Sequence, residues 1–181
     1  MVSGEAAGDS GTGRQSEMSA WDSFRAQLVI PEHRLLFEYW LSRCGTRAMP
    51  CRSDIKPSEI AKLLPGISLI DIAEDISKSR VRLAGTKLRE IHDREITGET
   101  IEALDWGDKR DYWLAAYHRT VEQAEPTQGV LKAPRFSKEH MVQYWLRLPL
   151  TCNGGDHTAM ILGHDYFVPA LQNQHRERRI A

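Results

Sequence analysis

Two alternating runs joined by a turn, between Glu139 and Val168, restrict this chain more than any other stretch. Val142, Tyr144, Leu146, Leu148 and Leu150 alternate with Gln143, Trp145, Arg147 and Pro149. A period of two is that of a strand with one face committed to a core. Thr151-Cys152-Asn153-Gly154-Gly155-Asp156 follows, where Gly and Asn supply the positive φ that a turn needs. The chain returns through Ala159–Gly163 and on to Tyr166-Phe167-Val168. A long hairpin of this kind needs further strands and a covering layer.

Those elements are legible upstream. Residues 21–30 suit a short amphipathic helix, and Pro31-Glu32 opens a clearer one to about Arg43. It carries Leu35, Leu36, Phe37, Tyr39, Trp40 and Leu41, more than one stripe. One side can lie on the sheet and the other calls for a partner. Pro57 starts another helix that ends at Leu64-Pro65-Gly66. Residues 67–72 and 80–84 read as strands, and 87–92 as a short helix. Asp108 is placed to cap a long helix to about Glu125, with Trp113, Ala116, Tyr117, Thr120, Val121 and Ala124 on one face. Pro126 ends it, and 128–136 reads as the third strand. Two strands, a helical crossover and three strands make an α+β fold, a five-stranded antiparallel sheet with helices on one face.

Composition bounds the function. The 181 residues carry 27% charged and 41% hydrophobic residues with a net charge of −1. That is ordinary for a globular protein and excludes the strong basic bias of a dedicated nucleic-acid or membrane-surface binder. Three sparse cysteines, Cys44, Cys51 and Cys152, suit free thiols, and no apolar run or leader marks a membrane or secretory route. The expected location is the cytoplasm. Residues 1–30 read as a polar leader with the short helix at its end, 31–169 as the folded domain, and 170–181 as a polar, arginine-bearing tail. Gly8 to Gly13 has the spacing of a phosphate loop, but Arg14 and Gln15 replace the Lys and Ser/Thr that such a loop requires.

In order and spacing, several stretches resemble a PAS domain. They are Tyr39-Trp40, Gly45–Pro50, Arg52–Ile55, Pro57, Glu59-Ile60, Leu63–Pro65, Leu69–Asp71, Arg82–Thr86, Thr97-Gly98, Leu148–Leu150 and Met160–Gly163. The closer resemblance is to a bacterial, alphaproteobacterial type of small PAS-like protein, often a stand-alone domain. The sequence departs from that pattern at Lys56, where such proteins carry an Asp before the proline, and at Asp93, where a Gly is common. The resemblance implies a sensor or interaction module in signal transduction, with an N-terminal capping helix. Output would act in trans through signalling partners, in a homodimer, with room for a small apolar ligand.

On that reading Leu83, Leu88, Trp113, Tyr117, Tyr144, Leu146 and Leu148 line a candidate ligand pocket, with Leu146 and Leu148 facing Trp113 and Tyr117. Leu36, Phe37, Tyr39, Trp40 and Trp145 form an interaction face, with Ile161 leaving that side of the hairpin apolar too. No cofactor is expected. Flavin photochemistry in such domains needs a reactive Cys on the helices before the crossover helix, and none lies between Gly85 and Asp108. Haem would need His92 or His118, and both read better as exposed or hydrogen-bonded. No metal spacing and no catalytic motif is present, so the chain is not read as an enzyme. The alternative is a cone-type α+β enzyme using Tyr117, Tyr144 and His164 as acid–base groups.

Overall fold

The computed structural model describes residues 21–132 and 140–170. Five strands form one antiparallel sheet in the order β2-β1-β5-β4-β3, with β1 Ile67–Asp71, β2 Arg80–Ala84, β3 Thr127–Lys132, β4 Met141–Leu150 and β5 Met160–Pro169. The expected hairpin is β4–β5, paired without a break from Met141↔Pro169 to Leu150↔Met160. The two pieces read after the turn are one continuous strand. The third strand starts at Thr127; the 133–136 end of the predicted strand lies outside the described residues, as do 1–20 and the 171–181 tail.

The α-helices that frame the sheet are α1 Pro31–Cys44, α2 Thr86–His92 and α3 Arg110–Gln123. A further helix spans residues 21–27. Pro57–Gly66 is 3-10 rather than α-helical, kinked at Ile60. Lys56 gives its first turn no side-chain cap; instead the Lys56 N–H donates to the Tyr39 hydroxyl at 2.7 Å. Asp108 does not cap α3. It pairs with Lys109 at 2.8 Å, and a single 3-10 turn leads into the helix. Asp93 takes the left-handed conformation, φ 52°, that ends α2, as a short polar side chain can.

The sheet is covered on both faces, and this explains why β4 is buried from Gln143 to Leu150 and β5 from Met160 to Asp165. One cluster joins Leu36, Phe37 and Trp40 of α1 to Leu146, Leu148 and Leu150. The other joins Trp113, Ala116 and Tyr117 of α3, with Leu88 and Trp106, to Trp145 and Ile161. The second side of α1 is met by the chain's own leading helix. Trp21 and Phe24 pack on Phe37 and Trp40 with ring centroids 5.1–6.1 Å apart. Pro149 sits in β4 where β3 no longer pairs with it, so its missing N–H costs no ladder bond. Its carbonyl accepts instead from the Trp40 indole at 2.8 Å.

Gly129 shows how tightly the edge is built. A Cβ there would lie 2.5 Å from Trp145 Cζ2 and 2.7 Å from the Tyr112 hydroxyl. Only a bare α-carbon lets the Trp145 indole lie across β3 and donate to Tyr112 at 3.0 Å. Gly129→Ala is therefore expected to cost about 1–3 kcal/mol of stability by overpacking. Urea unfolding measures this, and an unchanged midpoint would show that the indole has room to move.

Candidate functional site

Strand alternation decides what faces what. On β4, Tyr144, Leu146 and Leu148 share one parity and Gln143, Trp145 and Arg147 the other. Leu146 and Leu148 pack with α1, and Trp145 and Ile161 pack with α3. The two hairpin faces are thus the reverse of the sequence-based assignment. Periodicity separates two faces of a strand but carries no label for the helix that covers each. Of the seven residues expected to line the pocket, Leu88 and Tyr117 do so. Trp113 is fully buried close behind them. Tyr144, Leu146 and Leu148 belong to the opposite face, and Leu83 is 45% exposed on the edge strand β2. In the expected interaction face, Leu36, Phe37 and Trp40 are core, Tyr39 is half-buried, and Trp145 belongs to the α3 side.

The acid–base trio of the alternative reading does not assemble. Tyr117 lies on the α3 side, while His164 meets His33 of α1 edge-on at 5.1 Å. Tyr144 shares the α1-facing parity. His118 is exposed beside Glu122 at 3.7 Å, whereas His92 is buried and lines the cavity against Trp106. Among the described residues no three His, Cys, Asp or Glu side chains come together as metal ligands. No described helix is long and apolar enough to cross a membrane.

What composition concealed is a polar cluster under α3. Arg147 and Asp165 are both almost fully buried and form an ion pair at 3.0 Å. Gln143 Nε2 donates to the same Asp165 Oδ1 at 2.8 Å, and Arg147 Nη1 donates to the Leu146 carbonyl at 3.0 Å. The guanidinium sits among three rings, its central carbon 5.0 Å from Trp113, 5.6 Å from Tyr117 and 5.7 Å from Trp145. Burial disfavours the charge on Arg147, but the Asp165 carboxylate and the Tyr117 hydroxyl outweigh it and the pKa is raised overall. Burial likewise raises Tyr117, with Arg147 working the other way. A group of this kind survives in a core only as a pair with added hydrogen bonds.

The cluster needs the bare Gly163. Across three strands Ser68 pairs with Gly163, and Gly163 with Arg147. A Cβ on Gly163 would lie 2.3 Å from Ser68 Oγ and 3.1 Å from Arg147 Nη1, so both side chains lean over the gap. Beside them is a cavity of about 20 Å³, whose wall includes Ser68, Gln143, Arg147, Asp165, Tyr117 and His92, completed by Leu88, Ile96, Leu104 and Trp106. Four buried polar atoms of these wall residues have no hydrogen-bond partner among the described residues: Ser68 Oγ, Gln143 Oε1, Arg147 Nε and Asp165 Oδ2. Sequence reading expects few ionisable groups here and an apolar ligand; the structure places a buried ion pair at the wall instead. The signal lay in the hairpin register, where Arg147 and Asp165 are diagonal neighbours of opposite charge.

A family model described as PAS domain matches residues 29–164. No curated protein matches the sequence. Similar solved structures include a light-oxygen-voltage domain reported with a flavin analogue, 14% identical over 68% of this chain and 94% of that chain, with TM-score 0.49. The Rhodobacter sphaeroides LOV protein is 17% identical over 66% of this chain and 72% of that chain, with TM-score 0.48. The PAS domain of a protein from Colwellia psychrerythraea is 8% identical over 62% of this chain and 96% of that chain, with TM-score 0.47.

Proposed function

The chain belongs to the PAS domain family, and from that premise we propose a sensory signalling module in which a small molecule in the α3-side cavity biases how α1 packs on the far side of the sheet. The observation that carries this reading is the buried Arg147–Asp165–Gln143 cluster, whose residues line the cavity. The β4–β5 hairpin has Arg147 and Asp165 on one face and receives α1 on the other, and Trp40 grips the same strand at Pro149. A shift in β4 reaches α1 through that bond without any catalytic step.

The role is regulatory rather than enzymatic on this reading, with output in trans to a protein partner. The apolar surplus of α1, the motive for a homodimer, is largely met by the leading helix, and Leu35 is left 63% exposed on α1. Native mass spectrometry of protein from its own host is expected to show a small molecule released on denaturation. Removing it should change amide exchange in residues 31–44. If release leaves exchange in α1 unaltered, the relay through the sheet is wrong.

A further inference from the structure

We propose that Cys51 and Cys152 form a reversible disulfide that clasps the segment following α1 to the turn of the β4–β5 hairpin, a redox-sensitive device independent of any ligand in the cavity. The backbone sets the spacing. Cys51 pairs with Thr151 in a parallel bridge, where the Thr151 N–H donates to the Pro50 carbonyl and the Arg52 N–H to the Thr151 carbonyl, each at 3.0 Å. Paired strands lie about 4.8 Å apart and each residue advances about 3.3 Å, so a residue one step past a bridge partner has its α-carbon about 6 Å away. Cys152 is that residue, and a disulfide spans roughly 4.4–6.8 Å between α-carbons. The turn itself lies against the Cys51 sulfur: a Cβ on Gly154, which has φ 75°, would be 3.9 Å from Cys51 Sγ.

The three cysteines divide by surroundings. Cys44 is buried, and burial pushes its thiol up to about 12, so it takes no part. Cys51 is half-buried, and its sulfur accepts from Arg47 Nη1 at 3.3 Å and from the Asp54 N–H. Cys152 is exposed. Residues 152–157 make no backbone hydrogen bond among the described residues, so the bend turns the Cys152 thiol toward Cys51 without breaking the ladder. A peroxide is the oxidant. The O–O bond of hydrogen peroxide breaks as Cys51 Sγ takes one oxygen, giving a sulfenic acid and one water. The Cys152 sulfur then attacks Cys51 Sγ; the S–S bond forms, the S–O bond breaks and a second water leaves. Two thiols give up two electrons and two protons, and one peroxide becomes two waters. The clasp closes a long loop, and a cross-link over a long loop restricts the unfolded chain most.

The test treats full-length reduced protein with an equivalent of hydrogen peroxide, alkylates the remaining thiols and maps the cysteines by mass spectrometry without reduction. The expected product is a monomer lighter by two hydrogens, with tryptic peptide 48–52 linked to the peptide that begins at Leu148 and Cys44 left as a thiol. Its urea midpoint should lie above that of the reduced protein, and dithiothreitol should bring it back. Cys152→Ser changes an exposed side chain, so it should keep the reduced midpoint and lose the rise on peroxide treatment. Alkylation of both Cys51 and Cys152 after treatment would overturn the proposal. So would Cys51 carried on to sulfinic acid without a linkage, a bridge to Cys44, or two chains joined through Cys152. A Cys51–Cys152 linkage that leaves the midpoint where it was would overturn the clasp. None of these results bears on the cavity, whose sensory reading is tested by ligand release alone.

Discussion

Acidification from pH 7 to pH 5 is expected to remove a large part of the folding stability. The cause is the His33–His164 pair between α1 and β5. Burial, the largest effect on each ring, pushes His33 down to about 2 and His164 to about 4 from an ordinary value of 6.5. For His33 the neighbouring His164 and Arg147 add to the fall; for His164, Asp165 and Glu32 oppose it while Lys87 and Arg147 reinforce it. Geometry agrees, since the rings meet at 88° and 5.1 Å, with His33 Nε2 and His164 Nδ1 buried without a hydrogen-bond partner among the described residues.

Both rings are neutral in the fold, and the unfolded chain binds protons first as pH falls. Stability is therefore complete above about 6.5 and is lost below it, until His164 titrates in the fold near 4 and His33 near 2. Within that window each ring contributes about 1.4 kcal/mol per pH unit, so the pair costs on the order of 4 kcal/mol by pH 5. A domain with roughly 5–15 kcal/mol in total feels that strongly. Urea midpoints at pH 7.5, 6 and 5 measure it, and His33→Leu should about halve the slope. A wild-type midpoint that stays level across this range would refute the assignment.

The same pair shows where sequence reading reached and where it stopped. The hairpin and the succession of two strands, a helical crossover and three strands are local matters of period and punctuation, and they are legible. Strand alternation also sends His164 and Asp165 to opposite faces. What periodicity omits is which layer covers which face. With both faces buried, the stripe of Leu146 and Leu148 looks like the pocket wall, yet it packs on α1. The polar residues of the other face, Gln143, Arg147 and Asp165, bond to one another inside the core. His33, at the first turn of α1, has no periodic signature at all and becomes notable only through its tertiary neighbour.

Breaking the Arg147–Asp165 pair from one side is expected to be as damaging as acid. Arg147→Met leaves the Asp165 carboxylate buried with only Gln143 donating to its Oδ1, and it empties the space between Trp113, Tyr117 and Trp145 of its cation. Asp165→Leu leaves a guanidinium held between those rings without its carboxylate, its Nη1 still donating to the Leu146 carbonyl. Each single change should cost about 3–5 kcal/mol, because an uncompensated buried charge remains. The double variant removes both charges together and should regain most of the loss, since apolar side chains of similar volume often replace a buried pair at little cost. A coupling energy of several kcal/mol in that cycle, read from urea unfolding, is the expected result. Additive single losses would mean that the two groups do not depend on each other. If the double variant is as stable as wild type, the pair contributes little net stability, and its place beside the cavity becomes its best remaining explanation.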